Sequence, residues 1–168
     1  MDQLAVTVIG PDRPGIIADV TGALAEVGVN LEDSTMTLLR GHFAMTLICT
    51  GPTDGVEEAL APLTGELVIT VRAVGPEQAH APVGAPYFLS VHGADRPGIV
   101  SAITRVVAAV GGTITDLSTR LSGTLYVLTA EVELPPSADL ELLQSALETT
   151  ADELGVGVTL SPAESDDL

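Results

Sequence analysis

GPDRPGI at Gly10 to Ile16 returns as GADRPGI at Gly93 to Ile99, so Asp12 and Asp95 are separated by 83 residues. At that same offset, without a gap, Val8 falls on Val91, Thr21 on Thr104, Val27-Gly28 on Val110-Gly111, Asp33 on Asp116, Leu38 on Leu121 and Thr46 on Thr129. Pro52 then falls on Pro135, and Glu58 and Leu60 on Glu141 and Leu143. A duplicated unit of this length must fold as two like modules, each closing its own core. The chain of 168 residues with 46% hydrophobic side chains has material for two. Between the copies lies GPEQAHAPVGAP, Gly75 to Pro86, whose three prolines and lack of apolar periodicity predict a linker. The expected division is a first domain over 1–74, a linker over 75–86, a second domain over 87–161, and a disordered acidic tail over 162–168.

Each copy changes its hydrophobic period in the same order. Leu4, Val6 and Val8, and likewise Tyr87, Leu89 and Val91, alternate as a first strand ending at Gly10 or Gly93. Ile16, Ile17, Val20, Leu24 and Val27 then share one helical face, as do Ile99, Val100, Ile103, Val107 and Val110, with Gly28 and Gly111 placed to end the helices. Pro14 and Pro97 fit the first helical position. Second strands are expected over 29–39 and 113–121 and third strands over 43–50 and 125–134, joined by hairpins at Arg40-Gly41-His42 and Ser122-Gly123-Thr124. A second helix carries Val56, Ala59, Leu60 and Leu63 in one copy, with Asp54 and Glu57 spaced as a capping box, and Leu140, Leu143, Leu147 and Leu154 in the other. Closing strands follow at 67–74 and 157–160. The order βαββαβ predicts an α+β fold: two tandem ferredoxin-like units, each an antiparallel sheet with both helices on one face. The other face of each sheet is left without a cover, and with the edge strands it predicts a homo-oligomer: the two halves pair within the chain and a homodimer of chains forms beyond that.

Charge narrows the function classes. Six arginines, no lysine and 23 carboxylates give a net charge of −17, which repels a nucleic-acid backbone. With 2% aromatic residues and no tryptophan, base-stacking platforms are also excluded. Every apolar run is broken well before the roughly 18 residues a membrane span requires. The first residues lack a secretory signal and the single Cys49 forms no internal disulfide, so a cytoplasmic location is expected. Cys49 continues the Phe43, Met45, Leu47 alternation and is expected to be buried. His42, His80 and His92 have no repeated spacing, so no metal site or cofactor is expected.

Two features remain for chemistry. In both second strands an odd interval separates Leu31 from Leu38 and Ile114 from Leu121, which predicts a β-bulge at Asp33 and Asp116. The stronger feature is the turn D-R-P-G-I. The first N–H groups of a helix have no intrahelical acceptor and lie at the positive end of its dipole, so a carboxylate can dock near Gly15 and Ile16 or Gly98 and Ile99. Asp12 and Asp95 are placed to take an ammonium group, or else to cap the helix ends themselves. Arg13 and Arg96 either steer an anion or pair with a nearby carboxylate.

At this turn both halves resemble the ACT domain family of small regulatory modules that bind amino acids. The run GPDRPGIIADVTGALAEVGVNLEDSTMTLLRGHFAMTLICTG is similar to the tandem-ACT group of glycine cleavage system transcriptional repressors, and GADRPGIVSAITRVVAAVGGTITDLSTRLSG matches more loosely. The resemblance implies an amino-acid effector held between paired ACT domains by the strand-to-helix loop of one and groups of its neighbour. It implies binding positions at Asp12, Arg13, Pro14, Gly15 and Ile16, at Asp95, Arg96, Pro97, Gly98 and Ile99, and at Asn30, Asp33 and Asp116. Thr113 stands where Asn30 would repeat, which removes an amide from the second copy. The leading expectation is therefore a non-enzymatic amino-acid sensor acting on a protein partner, a transcriptional co-regulator of amino-acid metabolism or a metabolic enzyme's regulator. Two alternatives stand beside it: a small ferredoxin-like enzyme such as an acylphosphatase, using Arg13 and Asn30, and a scaffold whose turns only end helices.

Overall fold

Strand β1 (Asp2–Pro11) sends Leu4, Val6 and Val8 to one side and Ala5, Thr7 and Ile9 to the other. It pairs in antiparallel fashion with β3 (His42–Gly51), whose Phe43, Met45, Leu47 and Cys49 face the same side and are buried. Helix α1 (Ile16–Glu26) lays Ile16, Val20 and Leu24 on that apolar surface, a single i, i+4 stripe. β2 (Asn30–Leu39), helix α2 (Val56–Leu60) and β4 (Val68–Val74) complete the first unit in the order β2-β3-β1-β4. The second unit repeats it with β5 (Ala85–Ala94), α3 (Ile99–Ala109), β6 (Thr113–Ser122), β7 (Leu125–Leu134), α4 (Leu140–Leu154) and β8 (Val156–Pro162), in the order β6-β7-β5-β8. The computed structural model describes residues 2–76 and 84–163 and divides into these two units. Both are antiparallel four-stranded sheets of the ferredoxin-like βαββαβ type, with their cores between sheet and helices.

Local chemistry explains the joints. α1 ends in a Schellman arrangement: Val29 N–H donates to Leu24 O at 3.0 Å and Gly28 N–H to Ala25 O at 3.0 Å. α3 ends in the same way through Gly112 and Gly111. Each hairpin closes in two residues, Arg40-Gly41 and Gly123-Thr124, tighter than the three-residue joints expected. Both bulges lie where the broken alternation predicts them: the register steps between Leu31 and Asp33 and between Ile114 and Asp116, leaving Glu32 and Thr115 as the extra residues.

Some expectations are corrected. Ile17 is half exposed rather than part of the core stripe. The capping box at Asp54 and Glu57 does not form, because Gly55 holds the N-cap in a left-handed conformation and no side chain caps α2. Pro62 then turns the chain into a short 3-10 segment, Ala61–Leu63, so α2 is a third of the length of α4. In α4 the Asp139 carboxylate caps the first turn by accepting from Leu142 N–H at 3.0 Å. Ala85 and Pro86 already pair in β5, and Pro162 pairs with Tyr87. The rest of the expected linker over 77–83, with His80, and of the expected tail over 164–168 lies outside the described residues.

Cys49 is fully buried on β3. Desolvation, and after it the charge of Glu32, pushes its thiol pKa up, so little thiolate exists at neutral pH. An aromatic disulfide reagent is therefore expected to label the folded chain far more slowly than the urea-unfolded chain. Equal rates would place the thiol at the surface.

Candidate functional site

The loop after β1 is tied at both ends. Asp12 N–H donates to Gly41 O at 3.1 Å, which pins it to the β2–β3 hairpin. Gly15 (φ 87°, ψ 2°) and Gly98 (φ 93°, ψ −1°) have the backbone of the third residue of a type II turn, in which proline holds the second. Pro14 and Pro97 therefore belong to the turn and do not open the helices, which begin at Ile16 and Ile99. The left-handed glycine strikes each helix directly from a tight turn.

The consequence is a helix end without a side-chain cap. Among the described residues neither Asp12 nor Asp95, nor any other side chain, accepts from the first turn of α1 or α3. The first helical bonds are Asp19 N–H to Gly15 O and Ala102 N–H to Gly98 O, both at 2.9 Å. The N–H groups of residues 16–18 and 99–101 have no protein acceptor among the described residues. In the first unit an open cavity of about 480 Å³ lies at this mouth, bounded by Asp12, Gly15, Ile17, Met36 and Phe43. Its wall is thus a polar rim over an apolar floor.

The two arginines are engaged differently. Arg13 Nε donates to both oxygens of Glu66, at 2.7 and 2.8 Å, its Nη2 meets Asp19 at 3.0 Å, and its Nη1 donates to Pro14 O at 3.1 Å. Hydrogen bonds to Glu66, and next to Asp19, hold the guanidinium pKa above its ordinary value. Arg96 instead donates to Leu154 O at 3.2 Å and Glu153 O at 3.4 Å, satisfying carbonyls at the negative end of α4. Both arginines fasten their loop to the segment that leads into the closing strand. Glu66 and Asp19 were not among the residues predicted for the site; Glu66 lies 53 residues from Arg13, and no periodic signal marks it.

The remaining predicted residues stand apart from the mouth of their own unit. Asn30 pairs with Thr50 and so lies level with Gln3, seven positions along β1 from Gly10, about 23 Å at 3.3 Å per residue. Asp33 lies level with Ala5, five positions or about 17 Å away, on the helix-free face. Asp116 stands likewise opposite Glu131, level with Phe88. An Arg13–Asn30 pair for phosphoryl chemistry is therefore not assembled within the unit. A larger cavity of about 760 Å³ opens near the other end of this sheet, but Asp2, Asp54, Glu57 and Glu58 on its walls repel a carboxylate ligand. Among the described residues no cluster of three His, Cys, Asp or Glu side chains is arranged to hold a metal ion.

Two sheets of this topology, each with a D-R-P-G-I turn opening an uncapped helix, define a tandem regulatory-domain protein. The ACT domain family model matches residues 2–76 and 87–161, and the chain belongs to that family. It is 26% identical over 162 residues, 90% of this chain and 85% of the other, to the glycine cleavage system transcriptional repressor of Escherichia coli. A UPF0237 protein of Methanopyrus kandleri is 50% identical over 48 residues, 29% of this chain and 53% of that one. The crystal structure of a protein from Galdieria sulphuraria superposes with a TM-score of 0.79 at 31% identity, covering 97% of this chain and 99% of that one. Among the described residues no helix is long and apolar enough to cross a membrane.

Replacing Glu66 by Gln removes the bidentate partner of Arg13. Amide exchange at Asp12, whose N–H is bonded to Gly41 O, is expected to speed up several-fold, and added salt should reproduce part of the effect in the unsubstituted chain. Unchanged exchange would mean that the ion pair does not order the loop.

Proposed function

We propose that the chain is an amino-acid-sensing regulator whose effector docks its carboxylate on the uncapped N–H groups at Gly15-Ile16 and Gly98-Ile99. The observation that carries this reading is the pair of helix ends opened by left-handed glycines, each beside an aspartate and left without a side-chain acceptor. Asp12 and Asp95 take the effector's ammonium group, and Pro14 and Pro97 preset the turn. Arg13 and Arg96 hold the loops in place. Such a site responds to effector by changing how units pair.

The charge of −17 directs any transcriptional effect through a protein partner and not through DNA. Kinship with a protein named as a transcriptional repressor supports a regulatory output.

A thermal-shift screen of the common amino acids tests the reading. At about 100 times its Kd the effector should add about 2.7 kcal/mol of stability. Gly15→Ala and Gly98→Ala should each cost about 1–2 kcal/mol, because an L side chain is strained in the left-handed region, and should lose the ligand response. A chain that no amino acid stabilises is not a sensor of this kind.

A further inference from the structure

The helix-free face of the first unit is self-complementary. Beyond a row at the bulge end, Asn30, Thr50, Gln3 and Val74, where the Gln3 amide donates to Glu32 at 3.4 Å, three more rows of side chains cross all four strands in the order β2, β3, β1, β4. The first is Asp33, Ile48, Ala5, Arg72; the second is Thr35, Thr46, Thr7, Thr70; the third is Thr37, Ala44, Ile9, Val68. These twelve positions hold one cation and one carboxylate, at opposite edges, in a chain of net charge −17. Ile9 is 54% exposed and Val68 70% exposed, so the face has no cover.

We infer that this face binds the same face of a second copy of the chain, about a two-fold axis parallel to the strands and midway between β3 and β1. That operation keeps each row opposite itself and places β1 over the partner's β3 and β4 over the partner's β2. Arg72 then meets the partner's Asp33, and both charges are paired at each end of the row. Sizes alternate: Ala5 lies over the partner's Ile48, and Ile9 over the partner's Ala44, where the surface has a depression of about 180 Å³. The middle row sets threonine against threonine, and a hydroxyl both donates and accepts, so a hydroxyl row can pair with itself. A two-fold contact must satisfy every residue twice by the same patch, and this one does. Aligned sheets about 10 Å apart, crossing at about 30°, are the ordinary geometry for such a contact.

The second unit is an internal control. Its middle row, Ser118, Thr129, Ser90, Thr159, keeps the hydroxyls. Its outer rows do not match: the same operation would set Phe88 on the partner's Glu131 and Gly157 on the partner's Arg120, leaving carboxylates without cations. Homotypic contact is thus assigned to the first unit. Elsewhere, an excess of 17 negative charges opposes self-association.

Sedimentation of the full chain tests this independently of any effector. The unsubstituted protein should be a dimer at micromolar concentration. Arg72→Asp and Asp33→Arg should each weaken it about tenfold, and the two together should restore it, since the swap re-forms the pair. Ile9→Glu should leave a monomer with unchanged circular dichroism, because it buries an unpaired carboxylate against the partner's Ala44 beside the two-fold axis. A monomeric unsubstituted chain, a dimer indifferent to Ile9→Glu, or a charge swap that fails to rescue would each overturn the inference.

Discussion

Ten consecutive antiparallel pairs join β1 to β3, from Asp2 opposite Gly51 to Pro11 opposite His42. This register decides which half of the side chains meets the helices. A slip of β1 by one residue would turn Leu4, Val6 and Val8 to water and bury Ala5, Thr7 and Ile9 against β3 instead. Because the strands hold their period, α1 and α2 have a single surface to cover, and the opposite face is left bare. The same pairing carries the end of β1 to the level of the β2–β3 hairpin, where Asp12 is bound to Gly41. Core, loop and bare face all follow from one ladder.

Much of this was legible in the residues. The repeat announced two like units, and the order of periodicities their topology. Parity alone located the bulges, since a side chain cannot change face without an extra residue in the strand. What failed was the reading of positions where two local rules compete. Proline at the start of a helical pattern suits either the first helical position or the second residue of a turn, and in D-R-P-G-I the glycine that follows decides for the turn. Asp54 and Glu57 had the spacing of a capping box, but Gly55 between them already ends the turn in a left-handed conformation. Pairing of Arg13 with a nearby carboxylate was open to sequence reasoning and is met by Asp19, but Glu66 and the carbonyls that receive Arg96 were not, because they lie more than 50 residues away along the chain.

Duplication kept the backbone of the two mouths and altered their electrostatics. Asp19 sits in the first turn of α1, whereas Ala102 stands at the matching place in α3, which has no acidic residue there. Arg13 offsets Asp19 and Glu66 in the first unit. In the second, Arg96 is spent on backbone carbonyls, and no acidic side chain of the first turn opposes the helix dipole. Thr113 in place of Asn30 removes an amide donor from the second copy. Equal folds with unequal charge make the two helix mouths electrostatically unequal.

Charge also separates the roles of the surfaces in the first unit. The cavity walled by Asp2, Asp54, Glu57 and Glu58 repels anions, the helix mouth offers N–H groups to them, and the threonine face is neutral between its two edge charges. For a chain so acidic, neutrality is the rarer condition. Long-range repulsion falls only where a patch carries no net charge, and short-range hydroxyl and methyl contacts then set the geometry. The bulge joins the two ideas: by adding Glu32 to β2 it turns Asp33 onto the bare face, level with Ile48, so that a residue first read as part of the ligand pattern completes the charge balance of the sheet.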